Sequence, residues 1–195
     1  MNAIVVIGAS AGGVEPLKGI VASLPGTCSA SIFVVEHIGD HQSNLPILLA
    51  LAGSLPATFA TDHGSIEAGH IYVAPPDHHM HVRPSQIRLS RSPKVHFTRP
   101  AIDPLFVSAA DAYGGRVLGI VLSGTGADGA AGLRAIWESG GTALVQDPNE
   151  AAEPSMPRAA LQKVPAAVCL PIRELARFIA VFSARQGSPS AEFYR

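Results

Sequence analysis

Unbroken apolar runs, not alternating ones, mark the strands of this chain. Ala3 to Ile7, Ile32 to Val35 and Val117 to Leu122 are rich in Val, Ile and Leu with no polar residue at every second position. Strands of that kind are buried on both faces, which is the habit of parallel sheets covered by helices. Helical patterns fill the intervals: "VEPLKGIVASL", "LPILLALAGSL", "DPLFVSAADAY" and "GLRAIWESGG". In the third, Asp103 fits an N-cap and Pro104 the first helical position, where a missing N–H costs nothing. Leu175, Phe178, Ile179 and Phe182 form one stripe at helical spacing and predict a last helix. Strand alternating with helix predicts an α/β fold, a doubly wound and mostly parallel sheet with helices on both faces. "GHIYVAPPDHHMHVRPSQIRL", Gly69 to Leu89, departs from this with short alternating runs and turn residues, and reads as an antiparallel hairpin or meander added to the sheet. No repeat and no long linker divides the chain, so a single domain is expected over residues 1–185, with 186–195 as a C-terminal tail.

Composition narrows the classes of function. Hydrophobic residues make up 47% of the 195 and charged residues only 15%, which excludes a disordered chain. No apolar run approaches the roughly 18 residues needed to cross a bilayer. The N-terminus lacks a basic segment ahead of an apolar one, so a cytoplasmic protein without membrane insertion is expected. Cys28 and Cys169 stand far apart with no CxxC partner and read as small apolar fillers. Charge is uneven along the chain: Lys18 is the single base of residues 1–82 against six acids, whereas Arg83, Arg88, Arg91, Lys94 and Arg99 follow with no acid among them. Such a stretch either lies solvated or steers an acidic partner. Nucleic acid is not expected as that partner, because the pI is about 6.7 and the stretch offers only His96 and Phe97 for stacking.

"IVVIGASAGG", Ile4 to Gly13, carries the chemistry. A glycine loop between strand and helix can cradle a dinucleotide, and Glu36 lies about 20 residues on, where an acid would bind a ribose. Yet Ser10 occupies the place of the second glycine, and none of Tyr72, Tyr113 and Tyr194 begins a Tyr-x-x-x-Lys pair. A nucleotide-cofactor enzyme of Rossmann type is thus the lesser alternative, and no cofactor is expected. Gly8 to Gly12 instead match G-x-S-x-G, the elbow that lifts a serine out of a sharp strand-to-helix turn. A serine needs a base and an orienting acid. In a parallel sheet, residues just past different strand ends share one edge, and that edge receives Ser10, His37 and Asp128. Each also has a plain structural reading: a turn residue, a polar strand end, and an N-cap for a helix from Ala130.

The other histidines carry less. In "HHMH" only His79 and His81 would share a strand face, without a usefully spaced Cys or carboxylate, so no metal is expected and a structural or substrate-side role is preferred for them. His41, His63, His70 and His96 show no recognisable partner spacing.

With these residues in place the sequence resembles the catalytic domain of CheB-type protein-glutamate methylesterases of bacterial chemotaxis. The resemblance runs in order through "IGASAGG", "VVEHIGDH", "IYVAPPDHHMHV", "RPAIDPLF", "LSGTGADGAAGL", "LVQDP" and "MPRAA". It implies hydrolysis of glutamyl γ-methyl esters on the cytoplasmic helices of chemoreceptors, with glutamine deamidation in some members. It places the nucleophile on Ser10, the base on His37 and the acid on Asp128, an order unlike that of α/β-hydrolases, whose acid precedes the histidine. Backbone donors at Ala11, Thr125 and Gly126 are the oxyanion candidates, and His79, Arg88, Arg91 and Lys94 the substrate-contact candidates. Three neighbours depart from the usual family pattern: Ala11 stands for threonine, Thr125 for methionine and Ala127 for asparagine. Family members usually carry a receiver domain first, while this sequence opens at Met1 on the first strand; the expectation is a catalytic domain without one, regulated if at all by a separate receiver protein. A catalytically altered interaction module with the same fold is the remaining alternative.

Overall fold

The structure is a computed structural model and describes residues 3–37 and 43–186. Its central strands arise where burial is complete. In β1 (Ile4–Ala9) and β2 (Ser31–Glu36) every residue is buried, as in β7 (Val117–Val121). Successive side chains face opposite layers: Ile4, Val6, Phe33 and Val35 join one core cluster, and Val5, Ile7, Ile32 and Val34 the other. The absence of alternation in the sequence thus reflects two cores, one on each face of the sheet.

The sheet has seven strands, all parallel, completed by β3 (Ala57–Phe59), β4 (Ile71–Val73), β8 (Thr142–Gln146) and β9 (Val168–Leu170) in the order β3-β4-β2-β1-β7-β8-β9. Helices α1 (Val14–Ser23), α2 (Leu45–Ala52) and α6 (Ile172–Gln186) bury residues in one layer. Helices α3 (Ile102–Tyr113), α4 (Ala130–Glu138) and α5 (Ser155–Lys163) bury theirs in the other. Leu175 and Ile179 of α6 are fully buried, with Phe178 and Phe182 packed beside them, so the apolar stripe does face the core. Residues 187–195 of the expected tail lie outside the described residues.

Two expectations need correction. Ile71–Val73, read as part of the antiparallel addition, pairs parallel with β2 and β3 inside the main sheet. The hairpin proper is β5 (His79–Arg83) with β6 (Gln86–Ser90), a separate two-stranded sheet whose Met80, Val82 and Ile87 join the α3 core. Pro84 and Ser85 make its turn, Ser85 with φ +60. Asp103 is not the N-cap of α3 either; Ala101 is, and Asp103 and Pro104 sit inside the first turn. A carboxylate from elsewhere supplies the cap: Asp128 accepts the N–H groups of Ile102 and Asp103 at 2.7 and 3.0 Å. Asp103 is thereby free to accept the N–H of Gly132 at 2.7 Å, tying α3 to α4.

Candidate active site

β2, β1 and β7 are adjacent and run the same way, so their C-terminal ends form one short stretch of sheet edge. The elbow after β1 is built from both glycines of the motif. A Cβ at Gly8 would collide with the side chain of Ile102, the first residue of α3, so glycine here lets α3 approach the strand. Gly12 has φ +73, a left-handed conformation natural to glycine, and a Cβ there would stand 2.6 Å from Ala152. The bend is tied by Ser10 N–H to Ser123 O at 3.0 Å and Gly13 N–H to Ser10 O at 2.7 Å.

His37 leaves β2 with its N–H on Ala9 O at 3.2 Å. Its Nδ1 lies 3.2 Å from Ser10 Oγ and its Nε2 2.8 Å from Asp128 Oδ2. A carboxylate only accepts, so the ring proton belongs on Nε2, and the Nδ1 lone pair faces the serine hydroxyl. The three candidates picked from separate strand ends are therefore in hydrogen-bond contact, in the order alcohol, imidazole, carboxylate.

Asp128 is 2% exposed and fully engaged: Oδ2 accepts from His37 and Ile102, and Oδ1 accepts from Asp103 and, at 2.9 Å, from Gly129. Burial alone would raise its pKa, but the hydrogen bonds from His37, Ile102 and Asp103, with the charge of His37, outweigh that and hold it below the usual carboxylate value. Asp128 does not cap α4, whose N-cap is Gly129 at φ +87. It caps α3 instead, where the positive end of the helix dipole favours its negative charge.

The relay opens on a cleft of about 420 Å³ lined by Ser10, His37, Asp128, His96 to Thr98 and Thr125 to Ala127. Ala11, Thr125 and Gly126 are exposed, and their N–H groups have no partner among the described residues, as an oxyanion site requires.

Sequence reasoning missed the groups that brace this elbow. Ser123, fully buried, donates its hydroxyl to Ala11 O at 2.9 Å and accepts the N–H of Glu153 at the same distance. Its own N–H goes to Gln146 Oε1 at 2.8 Å. Ser123 and Gln146 stand within the motifs "LSGTGADGAAGL" and "LVQDP", but their part in bracing the elbow is visible only once β7 lies beside β1 and β8 beside β7.

The substrate-contact candidates fare differently. His79 is wholly buried, its Nε2 on Pro93 O at 3.1 Å and its Nδ1 accepting from Ala101 at 3.2 Å, so it joins the hairpin to the start of α3 and touches no solvent. Burial lowers its pKa, consistent with a neutral ring. Arg88 is drawn to Asp62 at 3.2 Å, and Arg91 to His78 at 3.1 Å and Asp77 at 3.8 Å; neither lines the cleft. Lys94 is exposed with no ion pair among the described residues. Glu36, the would-be ribose acid, is 8% exposed and turned inward, and its Oε2 has no partner among the described residues. Burial pushes its pKa up to about 7, partly offset by His37. His41 lies outside the described residues.

Comparison with known proteins shows the family of the domain. The family model described as CheB methylesterase matches residues 5–179. A protein-glutamate methylesterase/protein-glutamine glutaminase of Rhodospirillum rubrum is 38% identical over 183 residues, covering 90% of this chain and 47% of that protein. One of the same name from Anaeromyxobacter dehalogenans is 39% identical over 175 residues, covering 89% of this chain and 51% of its own length. The chain thus spans about half of these relatives. The crystal structure of the Thermotoga maritima CheB methylesterase catalytic domain superposes with a TM-score of 0.88 at 28% identity, over 93% of this chain and 98% of that one. The elbow, the parallel edge and the match over nearly the whole domain lead to one statement: the chain belongs to the CheB methylesterase family.

Proposed function

We propose that the protein is a serine hydrolase that removes methyl esters from glutamyl side chains of chemoreceptor cytoplasmic helices, and deamidates glutamines at the same kind of position. The observation that carries this reading is the contact chain Ser10, His37, Asp128 in a domain of this family. The Ser10 oxygen attacks the ester carbonyl while His37 Nδ1 takes its proton, and Asp128 holds the ring and balances the imidazolium charge. Charge that builds on the carbonyl oxygen meets the N–H groups of Ala11 and of Thr125 or Gly126, each donor worth about 3 kcal/mol of barrier in sites of this type. His37 then returns the proton to the departing methoxide, and methanol leaves. Water, losing a proton to the same nitrogen, cleaves the acyl-serine, and His37 restores the proton to Ser10. For a glutamine the leaving group is ammonia and the steps are otherwise the same.

A chemoreceptor substrate places the work in the cytoplasm; no described helix is long and apolar enough to cross a membrane. The test is methanol release from a methylated receptor fragment. The protein is expected to release methanol and the Ser10→Ala variant none; equal release by both, or by neither, would overturn the proposal.

A further inference from the structure

The rim of the cleft carries a side chain that the chemistry above does not use. Phe97 is 96% exposed, the most exposed of the large apolar residues among those described, and it lines the same cleft as Ser10, His37 and Asp128. A lone exposed apolar residue needs no explanation in general. Here the backbone beneath it does. His96 and Phe97 both have positive φ, +49 and +64. Together they are the central pair of a two-residue turn closed by Val95 N–H to Thr98 O at 3.1 Å and Thr98 N–H to Val95 O at 2.9 Å. Such turns select Asn and Gly, because a Cβ resists left-handed backbone, and an aromatic residue there is strained.

Strain of this kind persists only where the surroundings over-determine it, and they do. His96 Nε2 is held by Asp103 Oδ2 at 3.0 Å, and the Thr98 hydroxyl donates to Val95 O at 3.0 Å. The Arg99 guanidinium is clamped to Asp77 and donates to the carbonyls of Arg91 and Ser92 at 3.1 and 2.9 Å. The turn is pinned at both flanks, and what it presents is a phenyl ring with almost no packing against the described residues. Three residues before it stands the exposed Lys94, with no ion pair among the described residues.

We infer that Phe97 is a preorganised anchor for the protein substrate, seating an apolar side chain of the helix that carries the esterified glutamate, with Lys94 facing that helix's acidic residues. This rests on the esterase reading and adds to it a determinant of protein over small-ester substrates. Aromatic anchors of this sort dominate recognition because their position is fixed before binding. Thr125, Gly126 and Ala127, which line the same cleft, are small and leave room for the occupant.

The test compares Phe97→Ala, Phe97→Leu and Phe97→Gly on a methylated receptor fragment and on p-nitrophenyl acetate, with a thermal melt of each. On the receptor fragment, kcat/KM is expected to fall about tenfold or more for Ala and Gly, mainly through KM, with Leu retaining most activity. Loss on p-nitrophenyl acetate is expected to be several-fold smaller. Gly relieves the left-handed backbone, so its Tm should rise while its activity on the fragment falls. Equal losses on both substrates, no loss on the fragment, or a lowered Tm for Phe97→Gly would overturn the anchor. A wild-type protein that cleaves p-nitrophenyl acetate but releases no methanol from the fragment would sink the esterase reading instead, whatever residue stands at 97. In that case, unchanged binding of the fragment to Ser10→Ala and Ser10→Ala/Phe97→Ala proteins would also count against the anchor.

Discussion

Replacing Asp128 by asparagine separates the two tasks of that carboxylate. Its four bonds are split evenly, His37 and Ile102 on Oδ2, Asp103 and Gly129 on Oδ1. An amide has only one accepting oxygen. If that oxygen replaces Oδ1, it keeps Asp103 and Gly129, and the new NH₂ meets one backbone donor, Ile102. The flipped amide would meet two donors, so the first orientation is favoured. In it the NH₂ donates to His37 Nε2 and drives the ring proton to Nδ1, where it blocks transfer from Ser10. Tautomer reversal in serine-triad chemistry costs about 10⁴ in kcat, or about 5 kcal/mol of barrier. The orphaned Ile102 N–H costs on the order of 1–3 kcal/mol of stability. Methanol release and urea unfolding read the two effects separately. An Asp128→Asn protein within tenfold of wild-type activity would refute the relay, and one of unchanged stability would refute the capping role.

Other outcomes follow from the same geometry. Glu36 has a folded pKa of about 7, above its ordinary value of 4.5, so the native state holds its proton longer than the unfolded chain does. Its contribution is present below pH 4.5 and lost as pH rises through 7, and Glu36→Gln should remove that slope and stabilise the protein by about 3 kcal/mol at pH 8, measured by urea unfolding at pH 5 and 8. Asp128 works in the opposite sense: its folded pKa is depressed, so its contribution is present above the unfolded value of about 3.9 and fades as pH falls through the folded one. Ser123→Ala should cost about 1–3 kcal/mol, since the Glu153 N–H and the Ala11 carbonyl lose their shared partner, and should lower kcat by loosening the elbow; an active variant of wild-type Tm would count against the brace. Removing His37 from a protein that already lacks Ser10 should cost little further activity on p-nitrophenyl acetate, because triad members act as a unit.

What the linear chain discloses depends on whether the cause is local. β1, β2 and β7 are legible because each is buried on both sides and has no polar interruption. β3 and β9, of three residues each, exist by pairing at the sheet margins, and "ATF" and "VCL" look no different from loop. Ser10, His37 and Asp128 could be chosen because parallel strands end together, a rule that needs no contacts. Asp103 could not be placed correctly by the capping rule, since Asp128, 25 residues on, accepts the N–H groups of Ile102 and of Asp103 itself and the helix starts at Ile102, ahead of Asp103. His79, read from the sequence as structural or substrate-side, is wholly buried where β5 packs against α3, a placement that the short alternating run alone does not disclose. Ser123 and Gln146 act across strands and become visible only with the fold.

The most direct measurement is the site at which a fluorophosphonate attaches, mapped by mass spectrometry. A single adduct on Ser10 is expected, absent in Ser10→Ala and slowed by orders of magnitude in His37→Ala and Asp128→Asn. An adduct on any other residue, or labelling of Ser10 that is as fast without His37 as with it, would contradict the account.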